Sequence, residues 1–234
     1  MQLTISIDLH EPCILPIAYH HILQSAIYAQ IGGELHDVDF KYDKRGYKLF
    51  TFGPLEGRYD INNRNIIFIG KISFEVRCFV DEIGLNIINN ITRNGIRLGH
   101  NTYKDVAVKT QRRFIESNSI TISMKSPVCV YATDDNKHTI YFNPDEEDFY
   151  YAVEDNFFRK YAAVMDEYPE EGIAFRPVKH SPRDRYFTKY KGFYIEAWKG
   201  IYELSGNPEY LNFLYDVGIG AKNSQGFGMF DIVK

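Results

Sequence analysis

Cysteine is scarce: Cys13, Cys78 and Cys129 are the only three in 234 residues, and no CxxC pair occurs. An odd, scattered set argues against a secreted disulfide framework and fits reduced thiols in a cytosol. No run of 18 uninterrupted apolar residues exists, so no membrane span is expected. Asp8, His10 and Glu11 stand where a signal peptide would need an apolar stretch. These absences predict a soluble, cytoplasmic protein. The seven histidines form no ligand cluster. His20 and His21 are adjacent and, in a helix, point about 100° apart, which suits no single ion. No metal and no cofactor are expected. Excess positive charge is also missing, since 27 Lys and Arg stand against 31 Asp and Glu for a net charge of −4. Taken alone, that total argues weakly against a nucleic-acid partner.

Charge distribution says more than its sum. Arg176, Lys179, Arg183, Arg185, Lys189 and Lys191 are met within their stretch only by Asp184, and Lys104, Lys109, Arg112 and Arg113 only by Asp105. Acid gathers at residues 145–148 and at Asp166, Glu167, Glu170 and Glu171. A surface polarised in this way can hold a polyanion on one side, although two solvated faces would read the same. Aromatic residues are abundant, with 18 Tyr and 17 Phe. Tyr186, Phe187 and Tyr190 interleave with the cations of 176–191, a pattern suited to phosphate contact and base stacking, or to a plain solvated hairpin.

The length allows one large domain or two of about 100–150 residues. Residues 3–9 alternate as a half-buried strand. Pro16 then opens a helical pattern with Tyr19, Ile22, Leu23, Ala26 and Ile27 on one stripe, ended by Gly32-Gly33. Strands are predicted at 47–52 and 65–80, a helix at 81–94 and a pairing segment at 96–110. The order is βαββαβ, ferredoxin-like. It recurs less regularly: strand character at 119–132 around Pro127 and at 139–142, then a helix from a 143–146 capping pattern to about 165. Further strands are predicted near 173–179 and in a hairpin at 185–198, then a short helix at 208–215 and a last strand at 227–233. The fold class is therefore α+β, two tandem ferredoxin-like (RRM-like) units, divided at 1–115 and 116–234.

Between that last helix and strand lie four glycines in eleven residues, Gly218, Gly220, Gly226 and Gly228, with Lys222, Asn223, Ser224 and Gln225 among them. GxGxxG fails at Asn223, and no Gly-Lys-Ser/Thr makes a P-loop. Glycines let backbone N–H groups approach a phosphate, and a tight connection alone needs fewer than four. Phosphate-backbone contact is the favoured reading. On the wheel of the first helix Tyr28 falls opposite the apolar stripe, with His21 and Gln24 on its side, which makes it either a functional or a merely surface tyrosine.

Residues 197–206 (AWKGIYELSG) and 215–229 (YDVGIGAKNSQGFGM) resemble the C-terminal signature of the CRISPR-associated Cas-six endoribonucleases of the repeat-associated mysterious protein superfamily, and the likeness runs over nearly the whole chain. The resemblance implies two ferredoxin-like domains and metal-independent cleavage of CRISPR repeat RNA, leaving 2′,3′-cyclic phosphate and 5′-hydroxyl ends. The Ile-Tyr of the first helix, the Leu-His after it and the Lys-Leu-Phe-Thr strand are similar to archaeal members, which implies a catalytic set of Tyr28, His36 and Lys48. A charged insert at 37–46 departs from that pattern and puts the register of Lys48 in question. Chemically, an imidazole with a reference pKa of about 6.5 suits proton transfer. Tyrosine at about 10 better positions the 2′-hydroxyl, and lysine neutralises the phosphate. His21 is the substitute for His36. The basic segment and loop residues Gly218, Gly220, Lys222, Asn223, Ser224, Gln225 and Gly226 are then the RNA-binding candidates. The rival readings are a crRNA-binding subunit of an effector complex that no longer cuts and an unrelated ferredoxin-like enzyme or sensor. A second copy of the chain is an open partner.

Overall fold

A computed structural model describes residues 1–32, 40–42, 45–190 and 192–233. In β1 (Gln2–Asp8) Leu3, Ile5 and Ile7 are buried. β2 (Cys13–Pro16) continues the two-residue period, with Cys13 and Leu15 inside and Ile14 and Pro16 outside. That period carries Pro16 to the end of a ladder opposite Asn65, so the expected opening of a helix there is wrong. The helix, α1, spans His20–Ile31.

The strand expected over 47–52 is also divided. β3 (Phe40–Tyr42) and β4 (Arg45–Tyr47) form a small hairpin, and β5 (Phe50–Phe52) pairs elsewhere. Lys48 and Leu49 lie in the joint between β4 and β5. β6 (Glu56–Asn62) and the 14-residue β7 (Asn65–Cys78) follow, then α2 (Asp81–Asn94), which ends at Gly95 as predicted. β8 (Ile96–Leu98), β9 (Asn101–Tyr103) and β10 (Val106–Gln111) close this half.

β7 organises the first sheet. Val76 faces Leu3 of β1 on one edge and Phe52 of β5 on the other. Ile67 likewise lies between Ile14 of β2 and Asp60 of β6. β1 with β2 and β5 with β6 therefore each act as one interrupted strand, and β10 pairs the outer edge of β1. The resulting order, fourth–first–third–second, is ferredoxin-like. Asn86 and Asn90 of α2 donate to the last carbonyls of α1, at Ile31 and Gln30, by 3.0 and 2.8 Å bonds. These satisfy groups that a helix end leaves unpaired.

The second half repeats the order. β11 (Ser119–Met124) breaks before Pro127, so the predicted segment 119–132 is two strands in different sheets. Among the described residues β12 (Tyr131–Thr133) pairs only β13 (Thr139–Tyr141). α3 (Glu147–Met165), β14 (Ala174–Lys179), the hairpin β15 (Arg185–Tyr190) and β16 (Phe193–Trp198), β17 (Ile201–Ser205), α4 (Pro208–Val217) and β18 (Phe230–Ile232) complete it. The sheet runs β14–β17–β11–β18, and the hairpin is an insertion outside it.

Each sheet has its own apolar core, and a buried polar knot joins them. Arg77 of β7, fully buried, bonds Glu75, donates to the Phe230 carbonyl at 2.6 Å and to Asp231 at 3.0 Å, and lies 3.8 Å from the Tyr215 ring centroid. Glu75 also accepts from Gln2 and Lys125. Among the described residues no helix is long and apolar enough to cross a membrane.

Candidate nucleic-acid interface

The side of α1 that the wheel turned away from the core is divided: His21 is exposed, whereas Gln24 meets the second half. Gln24 donates to the Ser224 carbonyl at 2.7 Å and accepts from the Tyr190 hydroxyl. His20 lies between Tyr19 (ring centroids 5.2 Å, 12° between planes) and Phe227 (6.3 Å, 24°), with Nδ1 3.4 Å from the Tyr186 hydroxyl. Burial, with nearby Lys199 and His21 adding to it, pushes the His20 pKa down to about 4. Tyr28 is half-buried, its ring edge-on to Phe50 at 5.4 Å.

The glycine-rich segment is wedged against this surface. At Gly228 (φ +77°) a Cβ would lie 2.0 Å from the Ile219 carbonyl oxygen, and at Gly226 (φ +89°) it would strike Phe52 and His20. Gly218 and Gly220 are buried as well. Several loop N–H groups are spent internally: Ile219 on Gly228, Ala221 on Cys129, Gly226 on Asn223 and Gly228 on Pro127. Close packing within the protein accounts for the four glycines, the tight-connection alternative to the phosphate approach that the sequence favoured.

A buried lysine holds the loop closed. Lys160 of α3 donates to the carbonyls of Gly218 (2.8 Å) and Gly220 (3.0 Å) and to Asn223 Oδ1 (2.7 Å). The Asn223 amide in turn donates to the carbonyls of Ile219 and Phe227. Asn223 is thus a structural strut. The sequence carried a signal for this: Phe149, Val153, Asn156, Phe157, Lys160 and Tyr161 recur at helical spacing, and two polar residues in such a stripe need partners. Lys160→Met should lower stability by about 2–3 kcal/mol, because buried oxygens lose their donor. Urea unfolding measures this, and an unchanged midpoint would make the three bonds incidental.

Between the loop and the β4–β5 joint lies a cavity of about 190 Å³, bordered by Lys48, Tyr131, Asn156 and residues 220–225. Lys48 therefore reaches the loop from the strand break. The Lys222 ammonium stands 4.7 Å from the Tyr131 ring centroid, and Gln225 Oε1 is buried without a hydrogen-bond partner among the described residues. The structure brings Lys48, Gly220, Lys222, Asn223, Ser224 and Gln225 to one cavity, and it sets Tyr28 against the strand that follows Lys48. His36 lies outside the described residues.

The basic segment divides by strand alternation. Phe187 and Lys189 of β15 face out with Arg185. Arg185 is tied to Glu196 by bonds of 2.9 and 2.8 Å, and Phe187 stacks on Tyr194 at 5.1 Å. Lys189 lies 5.5 Å from the Tyr194 ring centroid. Tyr186 and Tyr190, expected to serve bases, instead dock the hairpin on His20 and Gln24. Arg176, Lys179 and Arg183 are exposed on β14 and the turn after it, and Lys191 lies outside the described residues. None of the described cations of this segment borders the 190 Å³ cavity.

Comparison with known proteins agrees with this architecture. A CRISPR-associated endoribonuclease Cas6 of Pyrococcus furiosus is 27% identical over 220 residues, covering 92% of this chain and 82% of the relative. A Cas6 endoribonuclease of Methanocaldococcus jannaschii is 24% identical over 98% of this chain and 91% of its own length. A solved structure described as a RAMP protein binding different RNA substrates superimposes with a TM-score of 0.83 over the full length of both chains, at 18% identity. The model of the family described as CRISPR associated protein Cas6, C-terminal, matches residues 108–232, just over half of the chain. On sequence and fold together, this chain belongs to the CRISPR-associated Cas6 family.

Proposed function

We propose that the chain is an endoribonuclease that cuts CRISPR repeat RNA without a metal ion, within a molecule divided near residue 115. The observation that carries this reading is the shared cavity: Lys48 of the first half and Lys222, Ser224 and Gln225 of the second line one space. Two amines there suit a ribose-phosphate strand. In the step proposed, the 2′-oxygen attacks the adjacent phosphorus while the bond from phosphorus to the 5′-oxygen breaks. The 2′-hydroxyl proton leaves to a base, and the departing 5′-oxygen takes one from an acid. His36 is assigned the principal proton transfer. Tyr28, one turn after Gln24 on the helix that bonds the loop, positions the 2′-hydroxyl. Lys48 neutralises charge that develops on the phosphorane. The outward cations Arg176, Lys179, Arg183 and Lys189, together with Lys191 of the same segment, guide the strand toward the cavity, and Arg185 orders the hairpin through Glu196.

Purified protein should cleave its repeat RNA equally well with and without a chelator, and its products should end in a 2′,3′-cyclic phosphate and a 5′-hydroxyl. Restoration of activity by magnesium after chelation would exclude the mechanism. Tight binding without any cutting would assign the chain to holding the processed guide.

A further inference from the structure

Beside the cavity at Lys48 lies a larger one of about 570 Å³, within the range of about 300–1,000 Å³ usual for ligand clefts. The two share Tyr131, Asn156 and Ala221 as a common wall. The chemistry changes across that wall. The smaller space has Lys48 and Lys222, whereas the larger has the carboxylates of Asp148 and Asp155. Its cation, Arg159, is committed to Asp155 by bonds of 3.0 and 2.9 Å. A phosphate is unwelcome there. Aromatic surface is plentiful, with Tyr131 and Phe142 in the wall and Tyr151 64% exposed on α3.

Asn156 is the decisive residue. It is 7% exposed, borders both cavities, and its Oδ1 meets no donor among the described residues. A buried acceptor left without a donor costs roughly 1–3 kcal/mol, so its presence in an apolar stripe calls for a reason outside the folded chain. The last torsion of an asparagine is soft, so the amide of a residue that borders both cavities can turn to meet a donor. An acceptor amide beside carboxylates and a tyrosine face is complementary to a flat, uncharged group rich in N–H donors.

We propose that this cavity is a base-reading subsite, which takes one unpaired RNA base bearing an exocyclic amino group, stacked on Tyr151 with its amino group on Asn156. It rests on the reading of the chain as an RNA-binding enzyme and adds to it the base preferred beside the cut. The phosphate of that nucleotide would lie across the shared wall, toward Lys222.

The test uses fluorescein-labelled rA6, rC6 and rU6 hexamers, with anisotropy titrations of the whole protein. The wild type should bind rA6 and rC6 at least about fivefold more tightly than rU6, the scale of a hydrogen bond. Asn156→Leu should erase that difference, and its melting temperature should hold or rise, because an apolar side chain replaces an unpaired polar one. Tyr151→Ala, a surface change with little bearing on folding, should weaken rA6 and rC6 roughly tenfold. Equal binding of the three hexamers by the wild type, or a preference that survives Asn156→Leu, overturns the subsite. So does failure of every hexamer to bind. Cleavage of repeat RNA in the same preparation would show the enzyme reading standing without it.

Discussion

Arg77→Met is expected to cost about 3 kcal/mol of folding stability, one of the largest losses available to a single substitution away from the catalytic candidates. Arg77 is fully buried, and its guanidinium is divided between Glu75, the Phe230 carbonyl and Asp231, with Tyr215 against its face. Removing one member of a buried pair costs about 3–5 kcal/mol, since the partner stays desolvated. The lower end applies because Glu75 keeps Lys125 at 3.1 Å and Gln2 at 2.6 Å. In a chain of this size such a loss lowers Tm by roughly 6–12 °C. Replacing Glu75 by leucine in the same chain should recover part of it, with the two changes departing from additivity by about 1 kcal/mol or more. Chemical unfolding of the single and double variants measures the cycle. A single variant within 1 kcal/mol of wild type would mean that apolar packing alone joins the halves.

How much of this was legible beforehand follows from the kind of signal each element leaves. α2 could be bounded from sequence because Asp81, the apolar stripe and Gly95 agree locally. The strand order followed from the alternation of apolar and polar residues. Where two local signals competed, tertiary pairing decided. Pro16 looked like a helix start, but Cys13 and Leu15 already had a place in the sheet. Residues 47–52 looked like one strand, but Tyr47 and Phe50 pair with different partners. The polar face of α1 was only partly legible for a related reason. A helical wheel separates apolar from polar residues, and it does not say whether the polar side meets water or another half of the molecule. Gln24 meets Ser224 across 200 residues of sequence, a pairing no local pattern contains. The glycines were singled out, but the packing that requires them could not be read locally, because the atoms that fill their missing side chains come from Phe52, His20 and Ile219. Lys48 was singled out by resemblance alone; that it borders one cavity with Lys222 depends on a loop more than 170 residues away, which no local pattern contains.

His36→Ala should reduce single-turnover cleavage by about 10² to 10⁴ while leaving the affinity for repeat RNA nearly unchanged, the signature of a lost proton-transfer group. The other histidines of the first half narrow the choice. His20 is held between aromatic rings with a pKa near 4, so at neutral pH only about one molecule in a thousand would carry the proton an acid must give. Its neighbour His21 is exposed, with Nδ1 2.9 Å from the Ala18 carbonyl, and borders a separate cavity with Ser25 and Arg97. His10 sits beside Asp105 at the far end of β1, and His100 is exposed in the turn between β8 and β9. His21→Ala should therefore cleave at close to the wild-type rate. Lys48→Ala should slow the chemical step without moving the pH profile, since its work is to stabilise charge and not to exchange a proton. Were His36→Ala fully active and His21→Ala inactive, the proton transfer would belong to His21. The reacting phosphate would then sit at the cavity that His21 borders with Arg97. The two histidine variants thus decide which histidine carries the chemistry.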